Sequence, residues 1–170
     1  AFGALGYAGV GTGAAIRVAV LSSGDAGTVV SQLNDDSHFD FSASAVDYSQ
    51  IDSLAELAQY DVVMLGDSAT PHSQLAAIAP ALRQWVEAGG GVVGTGWLIY
   101  GAGSYQGAAV ADIDAILPVD TTVSHLYQYN PLIDITAADH PVTQGVADFY
   151  PGHYAEYSPN VDAGASVLAY

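Results

Sequence analysis

A chain of 170 residues that is 51% apolar is long enough to bury a core and too hydrophobic to be disordered. Its 18 acidic residues face only two basic ones, Arg17 and Arg83, so the formal charge is −16. Such a surface repels phosphate backbones and anionic bilayers, which excludes nucleic acid as an expected partner.

Cysteine is absent, so neither a disulfide scaffold nor a thiol nucleophile is available. No apolar run reaches the roughly 18 residues needed to span a membrane. A charged segment leading into an apolar one is also missing, so no signal peptide is expected. Asp supplies 15 of the acidic residues and Glu only three, while charged residues total just 12%. Salt-adapted cytoplasmic proteins load both acids. This bias therefore favours an extracellular or cell-surface protein, and its field would attract cations.

Residues 1–15, AFGALGYAGVGTGAA, are uncharged and carry five glycines. They read either as a linker or as an arm that packs on a neighbouring subunit through Phe2, Leu5, Tyr7 and Val10. Residues 16–170 read as one α/β domain. Ile16–Leu21 is a β-branched strand, and Asp25 is placed to cap a helix over Ala26–Asn34. Alternation over Phe39–Val46 predicts a second strand. Asp52 or Ser53 opens a short helix at Leu54–Gln59, and Asp61–Gly66 reads as a central parallel strand. A helix over Gln74–Ala88 follows from Leu75, Ile78, Leu82, Trp85 and Val86, with Pro80 expected to kink or split it. Gly89-Gly90-Gly91 stops that helix, Val92-Val93 is the next strand, and Gly94–Gly96 is a tight turn.

Beyond Trp97 the pattern loosens. Gly101–Gly107 is a glycine and tyrosine loop. A short helix is expected near Val110–Ile116, with strands at Thr121–Tyr129, Leu132–Thr136 and Ser166–Tyr170. Four β–α steps with short connections predict a doubly wound, mostly parallel, flavodoxin-like sheet with antiparallel additions in the C-terminal half. Functional groups in such a fold gather past the carboxyl ends of the strands, here Ser22–Asp25, Tyr48, Gly66–Ser68 and Gly94–Trp97.

The run DVVMLGDSA, the helix ending WVEAGGGVVGTGW, the segment DHPVTQGVADF and the late ASVLAY together resemble the class I glutamine amidotransferase-like superfamily. The branch they are most similar to is the trehalose-utilisation-type, or ThuA-like, group. The resemblance covers about residues 16–170. It implies an amidotransferase-like sheet with a Cys nucleophile in the turn after the fourth strand and a later His and Glu. The matching turn is Gly94-Thr95-Gly96-Trp97, and the later pair is His153 and Glu156. Thr95 stands where the thiol would be, and Trp97 takes the place of a His often found in the ThuA-like branch.

Gly66-Asp67-Ser68 also resembles the block that carries the nucleophile of GDS-type esterases. That family places the block on its first strand and an Asp three residues before its His, whereas here Ala137 precedes His140 by three. The five histidines show no metal-ligand spacing. Calcium stays open at Asn34-Asp35-Asp36 and at Asp112 and Asp114, without an EF-hand or a repeat to support it. Clustered acids are more often a solvated face. Tyr100, Tyr105, Tyr127, Tyr129, Tyr150, Tyr154 and Tyr157 crowd the later half near Trp97. They fit core filling, an interface, or stacking on a glycan.

These features predict a non-catalytic secreted or surface domain acting in binding or self-assembly, with no required cofactor. The candidate crevice is Asp25, Asp67, Ser68, Thr95, Trp97, His153 and Glu156. The alternatives are a hydrolase on carbohydrate or small polar substrates using that same crevice, and a sugar-binding module.

Overall fold

The computed structural model describes residues 15–21, 25–35, 37, 40–65, 72–99, 108–121, 126–158 and 160–170. Phe2, Leu5, Tyr7, Val10, Asp67 and Ser68 therefore lie outside the described residues, as does the loop expected at Gly101–Gly107. Strands β1 (Ile16–Leu21), β2 (Phe41–Val46), β3 (Val62–Leu65) and β4 (Gly91–Gly94) form a parallel sheet in the order β2-β1-β3-β4. Helices α1 (Ala26–Leu33), α2 (Leu54–Leu57), α3 (His72–Glu87) and α4 (Ala108–Asp114) accompany it. Strands β5 (Leu126–Tyr129) and β6 (Tyr154–Tyr157) pair antiparallel in a separate ribbon. The fold is α/β and flavodoxin-like, with a topological switch between β1 and β3.

Side chains alternate across the sheet and divide the core in two. Ala19, Leu21, Val63 and Leu65 join Leu75, Ile78, Leu82 and Trp85 of α3 in the larger cluster. Val18, Val20 and Ala43 join Ala26 of α1 in the smaller one, with Val29, Val30 and Leu33 packed against it. The continuous apolar runs of β1 and β3 arise because both faces of these strands are covered.

Asp61 locks the amino-terminal edge of the sheet. Its carboxylate accepts from Arg17 Nη2 at 2.8 Å, Arg17 Nε at 3.0 Å and the Arg17 backbone N–H at 2.9 Å. Its own N–H donates to the Arg17 carbonyl and its carbonyl accepts from Gly91 N, so one residue ties β1, β3 and β4 together. At the carboxyl end of α3, Gly89 takes φ +111°, donating to the Val86 carbonyl, while Gly90 N donates to the Trp85 carbonyl. This is a Schellman stop. The Trp85 ring covers Gly90 so closely that a Cβ there would lie 2.3 Å from a ring carbon.

Several expectations need correction. Asp25 opens α1 through its backbone carbonyl, which accepts from Thr28 and Val29 N–H, and its side chain makes no cap bond. Ser53, rather than Asp52, caps α2 in a reciprocal box with Glu56. Pro80 does not split α3, which runs unbroken through it for 16 residues. Leu132–Thr136 and Ser166–Tyr170 are not continuous strands. They meet neighbours only through the isolated bridges Ile133 to Phe149 and Ile135 to Ala169, because too few consecutive residues find partners. The described part of the expected Thr121–Tyr129 strand is shortened to Leu126–Tyr129, and its partner Tyr154–Tyr157 was not expected as a strand at all. Among the described residues no helix is long and apolar enough to cross a membrane.

Candidate functional site

The turn after β4 is built by glycines with separate tasks. Gly94 sits under Leu98 and Leu117, whose Cδ2 atoms would lie 3.0 and 3.3 Å from a Cβ at that position. Thr95 extends the ladder, its N–H donating to the Leu65 carbonyl at 3.2 Å. Its own carbonyl then accepts from Leu98 N and Ile99 N, opening a single helical turn over residues 96–99. Leu98 is buried and Trp97 is left 44% exposed.

Gly96 decides the character of this turn. A Cβ there would stand 2.6 Å from Glu156 Cβ and 3.0 Å from the Glu156 carbonyl oxygen. The β5–β6 ribbon therefore rests on the strand-end turn, and the second glycine is required by that approach. The structure thus brings Glu156 against the Thr95-Gly96 turn. His153 does not share that contact with Gly96. It is exposed just before β6, with its ring edge-on to Tyr154 at 5.7 Å and its carbonyl accepting from Asn130 N. Asp25 is exposed at the start of α1.

Glu156 is unusual in one respect. Its Oε2 is buried and finds no hydrogen-bond partner among the described residues. A buried carboxyl oxygen without a donor is costly, and few such groups occur in folded proteins.

The ribbon has two faces of different character. Gln128, Ala155 and Tyr157 share one face and line an open cavity of about 640 Å³ together with Ile99, Leu132, Leu168 and Glu156. Tyr127, Tyr129, Tyr154 and Glu156 share the other, by the same two-residue alternation. There the Tyr154 ring meets Tyr129 at 5.1 Å and 69°, and Tyr127 at 5.7 Å and 74°. These three rings are 65%, 62% and 54% exposed for Tyr127, Tyr129 and Tyr154. Sequence reasoning noted the excess of tyrosine but did not name this trio as a site. The signal was the spacing of Tyr127 and Tyr129 by two.

Of the calcium candidates, Asp36 lies outside the described residues, and the others have partners within the chain. Asn34 spends its amide on β2, donating to the Ala43 carbonyl and accepting from Ala43 N. Asp35 accepts from Ser37 N and Oγ. Asp112 is held by Arg83, and Asp114 accepts from Thr121 N and Oγ1. Among the described residues no three His, Asp or Glu side chains gather to hold an ion. His140 is a turn residue whose Nδ1 accepts from Val142 N, and Thr143 donates to the Ala137 carbonyl.

Comparison with protein-family models and with curated proteins returns no match. Among solved structures, a ThuA-like protein from Bacteroides uniformis superposes on 91% of this chain with a TM-score of 0.57 and 18% identity. The chain shares the fold of that protein. It spans 66% of that protein's length, slightly less than two thirds. At this identity the likeness concerns architecture, and in this chain the turn after β4 lies at the carboxyl ends of the parallel strands. At that turn this chain carries the hydroxyl of Thr95, and its ribbon packs on Gly96.

Proposed function

We propose that this chain is a non-catalytic binding domain whose contact surface is the tyrosine face of the β5–β6 ribbon. The observation that carries the reading is the exposure of Tyr127, Tyr129 and Tyr154 as one cluster on a single face. Large rings with polar tips that remain in water are suited to holding a partner. The strand-end turn supports the same reading from the other side. A threonine nucleophile needs an adjacent base, whereas Glu156 meets this turn through its Cβ and backbone, packed on Gly96. The Asp-rich, lysine-free composition supports a secreted or surface-displayed setting.

The test compares retention of wild type, Thr95→Val and Tyr154→Ala on a panel of immobilised glycans, peptides and small organic ligands. Retention that survives Thr95→Val and is lost in Tyr154→Ala supports the reading. Retention that follows Thr95 instead refutes it.

Self-association is a second reading, favoured by one observation. Among the described strands β4 is an edge, and its Val93 is 48% exposed. Such an edge can accept a strand from another copy, and the uncharged arm with Phe2, Leu5, Tyr7 and Val10 could supply the apolar contact.

A further inference from the structure

We propose that the tyrosine face binds the alkylated ammonium head of a small organic cation, seated in the corner between Tyr129 and Tyr154. This rests on the reading of that face as the binding surface and adds the class of ligand. Two rings set at 69° with centroids 5.1 Å apart form an open corner, not a flat platform. In an edge-to-face pair the ring set edge-on keeps its own negative face open to a cation in that corner, and Tyr127 flanks Tyr154 at 74° on the same side of the ribbon. Alkylated ammonium groups give up little hydration and fit such corners well.

Charge points the same way. The chain carries −16 and no lysine. Both arginines are already held, Arg17 by Asp61 at 2.8 Å and Arg83 by Glu87 at 2.9 Å and Asp112 at 3.1 Å. Neither is needed to satisfy the rings, and an incoming cation meets a favourable field. Glu156 lies directly across the ribbon from Tyr127 on the same face, and its Oε2 accepts no hydrogen bond among the described residues. That oxygen is buried beneath the ribbon, so the carboxyl adds negative charge near the aromatic face without contacting a ligand on it. A neutral sugar would prefer a flat ring with donors around its rim, and an anion would be repelled.

The experiment is an NMR titration of the full chain with choline and with its neutral carbon isostere, in which a tert-butyl group replaces the trimethylammonium. The expected result is saturable binding of choline with its methyl signals shifted upfield by the rings. The isostere should bind at least about tenfold more weakly. Tyr154→Phe keeps the effect because the ring face is retained, while Tyr154→Ala and Tyr129→Ala lose it. If Tyr154→Ala fails to fold, Tyr129→Ala carries the test. Equal binding of the isostere, no binding of choline, or full binding by a folded alanine variant overturns the proposal. If choline fails while another ligand is still retained through Tyr154, the ligand class is wrong and the binding face stands. If no ligand depends on Tyr154, both fall.

Discussion

Gly96 and Glu156, sixty positions apart, are in backbone contact, and the ribbon docks on the sheet only because position 96 has no side chain. An added methyl would meet Glu156 Cβ at 2.6 Å and the Glu156 carbonyl at 3.0 Å, neither of which can rotate away.

Gly96→Ala should therefore destabilise the chain by about 1–3 kcal/mol, the usual cost of overpacking. Hydrogen exchange should show the loss first at β5 and β6. Gly27→Ala is the matched control. Gly27 lies within α1 with open space around it, so alanine should raise stability by about 0.5 kcal/mol. Denaturant melts of the two variants measure both effects, and equal behaviour would show that Gly96 is not a contact residue.

The Arg17–Asp61 pair makes stability depend on pH in a defined direction. Hydrogen bonds from the Arg17 side chain and then from its backbone N–H hold the Asp61 carboxyl below its ordinary value of 3.8. The contribution is therefore fully present above that ordinary value and is lost as pH falls through the lower folded value. Asp61→Asn should melt slightly below wild type at neutral pH, with a small gap because the pair is half exposed. The gap should close progressively below about pH 4. Thermal melts at several pH values check this, and a gap that widened in acid would contradict it.

Asn34→Asp should cost about 1–2 kcal/mol by leaving the Ala43 carbonyl without its donor. The amide of Asn34 acts as a two-bond strand partner on the outer edge of β2, which a carboxylate cannot reproduce. Urea unfolding of this variant beside Asn34→Ala separates the lost donor from the lost side chain.

Self-association through the arm predicts that deleting residues 1–13 lowers the oligomer size seen by light scattering. An unchanged size refutes the arm.

The sheet was readable because its signals are local. β1 and β3 are short β-branched runs, α3 repeats Leu75, Ile78, Leu82 and Trp85 at helical spacing, and Gly89 to Gly91 mark a stop whose motif the structure shows in full. The C-terminal half was less readable because its pairing is long-range. β6 is only Tyr-Ala-Glu-Tyr, exposed at both of its ends, and gains its identity from β5 and Gly96. Leu132–Thr136 has the composition of a strand but finds isolated partners. The turn at Thr95 was legible as a place, whereas its covering was not, since no local pattern says that a glycine is small for the sake of a residue far along the chain. Asn34 beside Asp35 and Asp36 leaves calcium open in the sequence, because its amide and the neighbouring acids carry oxygens. The backbone of β2 claims that amide first.

The central claim is that the strand-end turn is a packed junction and not a reactive centre. A turnover screen of wild type and Thr95→Val on esters, amides and glycosides tests it most directly. Any trace hydrolysis should be the same in both proteins. Turnover by the wild type that disappears in a correctly folded Thr95→Val variant would contradict the account.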